Sequence, residues 1–352
     1  MKRLALGVIG LFFGLLSAEV WVRYSRPQPP PNMDDLNRGQ FTQEGQYPHR
    51  TSEFSVQVRV NSFGFVDREW GPKSKRRTLL IGDSFVQGAQ VPLESGLGRV
   101  LMSQLPDQEI LSLGVPGAGT TTALELVKRY APLLEADGIV LGFLLSNDIF
   151  NNHPQLDSKA DKPYRKRMGS RLAPYHPKSP SIGLGAKYSH LIRWLLRGQQ
   201  RQDAHQAQKT GDRHPKTFDV YASNPDSTWQ EAWQITHLLL TELAEWCATE
   251  ELPLGIVLIP VQHEVDPILW TKKLREWPSL DHHSVENAHS KALQLTSRLA
   301  PTYDLFQDLK ADPPTYYFPI DGHWTKEGHL KAAQELAPFI DSLYTPSSEM
   351  IK

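Results

Sequence analysis

A serine closes an apolar run, Leu79-Leu80-Ile81-Gly82-Asp83-Ser84, and more than two hundred residues later a carboxylate and a histidine stand two apart in Asp321-Gly322-His323. An apolar run that stops at Gly-Asp-Ser reads as a buried strand delivering one hydroxyl, on a tight turn, to the top of a sheet. Ser84 is therefore the candidate nucleophile. A serine hydroxyl is weak by itself and needs a base, a group to orient that base, and donors for a developing oxyanion. Thr325 is placed to cap a helix carrying Leu330, Ala332, Ala333, Leu336 and Ile340, so Asp321 and His323 fall on the loop before it, free to point into a site.

The elements that would position these residues alternate. After the Ser84 strand come a helical pattern through Leu97, Leu101 and Leu105 and a second apolar run, Glu109–Leu113, ending at Gly114. A second helix follows through Leu124, Val127 and Leu133. A third run, Gly138–Leu145, ends at Ser146-Asn147-Asp148. Strand, polar turn and helix in this order predict a parallel sheet covered by helices, whose ligands bind outside the C-terminal strand ends. Leu254–Ile259 reads as a fourth strand and Thr302–Leu305 as an edge strand. A stripe through Trp229, Trp233, Leu239, Leu243 and Cys247 reads as a core helix. Gln262-His263, at the end of the fourth strand, reads as an ordinary loop, with a place lining the site as the alternative. His282-His283 with His289 reads as a polar helix start, because no diagnostic metal-ligand spacing surrounds it.

With 352 residues, 39% hydrophobic and 22% charged, the chain is globular in composition, and a formal net charge of -1 gives no bulk attraction to nucleic acid. The single cysteine, Cys247, excludes an intramolecular disulfide and a cysteine metal cluster. At the N-terminus, Met1-Lys2-Arg3 precedes fifteen apolar residues, Leu4–Ala18, then Glu19 and Val20-Trp21-Val22. This predicts an uncleaved transmembrane anchor over residues 1–24, with secretion after signal cleavage as the alternative; either way the chain is exported. A proline-rich linker and N-terminal extension, residues 25–76, would follow, with a strand or hairpin at Phe54–Val60. Between Lys159 and Lys216 basic residues far outnumber acidic ones, which marks an insertion at about 155–227: a solvated loop, or a lid or patch for anionic glycan or phospholipid headgroups.

Gly82-Asp83-Ser84, Gly114, Asn147 and the Asp321/His323 pair, in this order on successive strand ends, resemble the blocks of the SGNH (GDSL-like) hydrolase superfamily. The similarity runs from about Arg77 to Tyr344 apart from the insertion. One spacing departs from it: the superfamily separates aspartate from histidine by two residues, and here only Gly322 intervenes. The resemblance implies a three-layer α/β/α flavodoxin-like domain over residues 77–345, with 346–352 as a tail. It implies acyl-ester hydrolysis, or transfer to a sugar hydroxyl, with Ser84 as nucleophile, His323 as base and Asp321 orienting the ring, or Asp304 or a backbone carbonyl if Asp321 cannot reach. It further implies an oxyanion hole from the Ser84 and Gly114 amides and the Asn147 side chain, and no cofactor or metal. The expected substrate is an acylated carbohydrate of the cell envelope or extracellular matrix, with a lipid ester second. The expected location is the extracytoplasmic face of a bacterial inner membrane. A non-catalytic carbohydrate-binding protein of the same fold is the reading from another class.

Overall fold

The computed structural model describes residues 2–25, 44–157, 162–175, 188–196 and 214–345. They fall into two compact units, one from residues 1–35 and 178–213, the other from residues 36–177 and 214–352. The proline-rich spacer, residues 158–161, 176–187 and 197–213 of the basic insertion, and the C-terminal tail lie outside the described residues.

In the first unit, helix α1 (Lys2–Ser25) forms where the apolar run predicts one. Among the described residues, however, no helix is long and apolar enough to cross a membrane. The expected transmembrane anchor is therefore not found; the side chains of residues 1–5 and 8 are outside the description. The clean apolar run stops at Glu19, short of the roughly 20 residues a span requires. Glu19 is also committed elsewhere in the unit. It accepts from Ser189 Oγ at 2.7 Å and from the backbone N–H groups of His190 and Leu191 at 2.9 and 2.8 Å, capping a short helix over residues 190–196.

The second unit is built on five parallel strands: β3 (Arg76–Gly82), β4 (Gln108–Gly114), β5 (Gly138–Leu144), β8 (Leu254–Ile259) and β9 (Thr302–Asp304), in spatial order β4-β3-β5-β8-β9. Strands β3, β4, β5 and β8 are buried on both faces, which is why they read as continuous apolar runs without alternation. Helices α3 (Leu97–Gln104), α4 (Thr120–Leu133), α6 (Ser227–Thr249), α8 (Val285–Ser297) and α9 (Lys326–Ser342) contribute apolar stripes to the same core. The tryptophans at 229 and 233 are buried in it, as a core helix requires. Numbered within the sheet alone, the order is 2-1-3-4-5, the doubly wound arrangement whose direction reverses between β3 and β5. Chains leaving the C-terminal ends of those two strands diverge to opposite sides and open a crevice. Ser84 follows β3 and Asn147 follows β5.

Two short hairpins complete the unit. In one, β1 (Gly45–Arg50) pairs antiparallel with β2 (Ser55–Val60), so residues 45–60 of the N-terminal extension form a hairpin. In the other, β6 (Tyr164–Met168) pairs with β7 (Arg171–Tyr175) inside the basic insertion. There Arg165 pairs with Glu125, and the buried Lys162 ammonium with Asp157, so these two cations are committed to structure and not to a patch for anions. At the far end of the sheet, buried Arg77 pairs with Glu109 at 2.7 Å and donates to the Leu134 carbonyl at 2.9 Å, so the basic connector ends inside the core.

Gly114 ends β4 opposite Gly82, where the sheet passes under the helix that carries Ser84. A Cβ at Gly114 would sit 2.2 Å from the Gln87 backbone nitrogen. Because that neighbour is backbone and cannot rotate away, Gly114→Ala is expected to cost about 3 kcal/mol of stability, readable as a lowered urea midpoint.

Candidate active site

Ser84 opens helix α2 (Ser84–Gln87), a single turn held at both ends by local chemistry. Asp83 caps it, its Oδ1 accepting from the Phe85 N–H at 3.0 Å, and Gly88 closes it in the left-handed region at φ 61°. The serine thus leaves β3 on a sharp turn with its hydroxyl above the sheet.

His323 and Asp321 reach it from the other end of the chain. His323 Nε2 lies 2.8 Å from Ser84 Oγ, and His323 Nδ1 lies 2.6 Å from Asp321 Oδ1. A carboxylate only accepts, so Nδ1 carries the proton and Nε2 presents its lone pair to the serine hydroxyl. The one-residue gap between aspartate and histidine is bridged because Gly322 takes φ 80°, folding the loop so that both side chains lie on one side. The imidazole and the carboxylate are each 24% exposed, reachable but shielded. Burial alone would raise the Asp321 carboxyl; the hydrogen bond from His323 and the favourable electrostatic interaction with its ring outweigh it and hold the group below its ordinary range, ionised at neutral pH. Asp304 is not needed to orient the ring: it pairs instead with His289 at 2.9 Å, beside β9.

Asn147, in helix α5 (Leu145–Asn151), faces the same space. Its Nδ2 donates to Asp83 Oδ2 at 2.9 Å, and its Oδ1 accepts from the Asn151 amide. These two bonds fix the amide orientation and leave one N–H of Nδ2 for a ligand. Burial, offset by the bonds from Phe85 and Asn147, raises the pKa of Asp83, and burial together with the charge of Asp83 raises Asp148 well above its ordinary value. Asp83 therefore sits at the cavity floor as a buried turn and bracing residue, its two carboxylate oxygens taken by the Phe85 N–H and the Asn147 amide.

No model of a known family matches this sequence, and no curated protein matches it. Solved structures do match in fold. A lipase/acylhydrolase from Enterococcus faecalis aligns at 11% identity over 77% of this chain and 98% of that one, with a TM-score of 0.41. A member of the lipolytic G-D-S-L family from Veillonella parvula aligns at 13% identity over 76% and 98%, TM-score 0.40. An acetyl xylan esterase aligns at 11% over 75% and 99%, TM-score 0.41. The chain is similar to GDSL-type acylhydrolases. At these identities and scores the likeness is one of fold, and the chemistry of this chain has to be read from its own atoms.

The cavity over Ser84 measures about 270 Å³ and is lined by Ser84, Asn147 and His323, with Phe218, Tyr221 and His263 among its walls. Gly114, the glycine expected in the oxyanion hole, is not among the lining residues; its lack of a side chain serves the close passage under α2. Gly117, three residues on in the same turn, lines the cavity, at φ 65° and with its carbonyl taken by the Lys162 ammonium. His263, expected on an ordinary loop, stacks on Phe218 at 4.8 Å and forms part of the wall, and burial lowers its pKa to about 3 so that the ring is neutral.

Nothing in the sequence marked Glu53. From the β1–β2 turn its two carboxylate oxygens accept from the backbone N–H groups of Ile320 and Asp321, at 2.9 and 2.7 Å, while Phe54 packs on Phe318 at 5.2 Å. The N-terminal hairpin thereby holds the loop that carries Asp321 and His323. Glu53→Gln keeps the shape but leaves one acceptor where there were two, so one loop N–H loses its partner. The expected result is an about tenfold fall in kcat/KM for a nitrophenyl ester, equivalent to roughly 1.4 kcal/mol, with little change in the melting temperature.

Proposed function

We propose that this chain is a serine esterase that removes short acyl groups, and the observation that carries the reading is one imidazole bridging Ser84 Oγ and Asp321 Oδ1 at the floor of a cavity. In the first half-reaction Ser84 Oγ attacks the ester carbonyl carbon as its proton passes to His323 Nε2. The carbonyl oxygen becomes an oxyanion held by the free Asn147 Nδ2–H and the backbone amides of Ser84 and Gly117. Collapse breaks the C–O bond, and the leaving alcohol takes the proton from His323. Water repeats the sequence on the acyl-serine; a sugar hydroxyl in its place gives acyl transfer. Asp321 stays ionised and stabilises the imidazolium.

The size of the cavity supports a short acyl group. At about 270 Å³ it falls just under the roughly 300–1,000 Å³ of ordinary ligand pockets, and Phe85, Leu144 and Phe218 give it apolar surface. An acetyl or similarly small group on a carbohydrate fits this better than a long fatty chain. The similar acetyl xylan esterase structure bears that activity in its own name, and here an acylated carbohydrate of the cell envelope or extracellular matrix is the proposed substrate class. The basic start and apolar run of the first 18 residues are the grounds for proposing an extracytoplasmic location at a bacterial membrane.

Turnover of p-nitrophenyl acetate and p-nitrophenyl octanoate tests the reading. The acetate is expected to be the better substrate, and Asn147→Ala is expected to lower its kcat about 10²–10³-fold with a small change in KM, as removal of one oxyanion donor does. An unchanged kcat in Asn147→Ala removes that residue from the oxyanion hole, and preference for octanoate removes the short-acyl reading.

A further inference from the structure

Three metal-ligating side chains converge away from Ser84, behind the wall of the cavity. His214 and Asp219 flank and occupy the 3-10 turn Lys216–Tyr221, and His283 lies just before α8. The two segments are joined by a bridge between Ala222 and His283 and by the Ser284 N–H donating to the Tyr221 carbonyl at 2.8 Å. One ligand atom from each of the three side chains lies within 4.8 Å of the other two. His214 Nε2 is 2.7 Å and His283 Nε2 3.6 Å from Asp219 Oδ1.

Two features of this cluster go beyond a hydrogen-bonded staple. The His283 side chain is only 8% exposed, yet neither buried ring nitrogen completes a hydrogen bond of normal length; Nε2 stands 3.6 Å from Asp219 Oδ1. A buried polar group left so is costly, and its lone pair calls for a positive partner. His214 Nδ1 meanwhile lies 2.8 Å from Ser279 Oγ. That bond is of the outer kind that orients metal-bound imidazoles: with Nδ1–H donating to the serine, the Nε2 lone pair faces Asp219 and His283. A separation of 3.6 Å between His283 Nε2 and Asp219 Oδ1 suits two ligands each about 2.0–2.2 Å from one ion, and the shorter His214–Asp219 contact would open by roughly half an ångström on uptake.

We propose that His214, Asp219 and His283 form a binding site for a divalent transition metal of the zinc type, with two imidazoles and one carboxylate as ligands and solvent completing the shell. The ion takes no part in the serine chemistry. It clips the 3-10 turn, whose Thr217, Phe218 and Tyr221 line the cavity, to the segment before α8, and so fixes the wall opposite Ser84. Metal uptake is independent of the esterase reading, and its test needs no substrate.

The full-length chain, stripped with a chelator, is titrated with Zn²⁺ by calorimetry and with Co²⁺ by visible absorption. The expected result is one equivalent bound, at least tenfold more tightly than by Asp219→Asn or His283→Gln, while His282→Gln, which alters the exposed neighbouring histidine, binds like wild type. Equal uptake by wild type and both ligand variants, or loss of binding in His282→Gln, overturns the proposal. Should the ligand variants fail to fold, wild-type crystals soaked in Zn²⁺ decide the matter: an anomalous peak among the three side chains supports the site, and a peak elsewhere or none at all overturns it.

Discussion

One imidazole has to be held within hydrogen-bonding distance of two groups that come from opposite ends of the chain, and most of the second unit serves that constraint. The reversal of strand order between β3 and β5 opens the crevice, the single turn of α2 presents Ser84 in it, and the Asp321–His323 loop enters it from just before α9. A separation of 2.8 Å on one side of the ring and 2.6 Å on the other leaves little room for the loop to drift, because hydrogen bonds weaken steeply with distance and angle. Glu53 and Phe54, on a hairpin far upstream in sequence, supply the lateral restraint. The left-handed Gly322 makes the short aspartate-to-histidine spacing geometrically possible.

Beneath the hydroxyl lies a second, less obvious arrangement. Asp83 and Asp148 are buried acids close enough for the charge of one to raise the pKa of the other. Each is tied down by backbone N–H groups, Asp83 by Phe85 and Asp148 by Leu144. Their value to the site is positional: Asp83 takes one Asn147 N–H and thereby turns the amide nitrogen of Asn147 toward the cavity. A bracing acid directly before Ser84 is cheaper to keep buried than an isolated one, since its oxygens are already satisfied.

The parts of this site that the sequence made legible share a physical origin. Buried parallel strands must be continuous apolar runs, and a strand that ends at a functional turn shows a sharp change from apolar to polar residues, so Ser84 and Asn147 could be placed from the chain alone. Asp321 and His323 were readable because Thr325 marks a helix start just after them. Contacts between distant segments carry no periodicity. Glu53, Gly117, Lys162 and Phe218 were therefore silent, and His283 clusters with residues 64 and 69 positions away instead of with His289 beside it. Gly114 and Gly117 show a related ambiguity: two glycines in one turn, one needed for close packing and the other at the cavity, look alike until the backbone is in place. Within the N-terminal run, local hydropathy likewise does not reveal that Glu19 caps a second helix.

If His323 draws the proton from Ser84, that serine must react with an electrophile that its neighbours in composition, the other serines of the chain, ignore. Labelling of the folded wild-type chain with a fluorophosphonate, located by peptide mass spectrometry, asks this directly. A single adduct on Ser84, slowed at least a hundredfold in His323→Ala, is the expected result; no adduct, or equal labelling of wild type and Ser84→Ala, would contradict it.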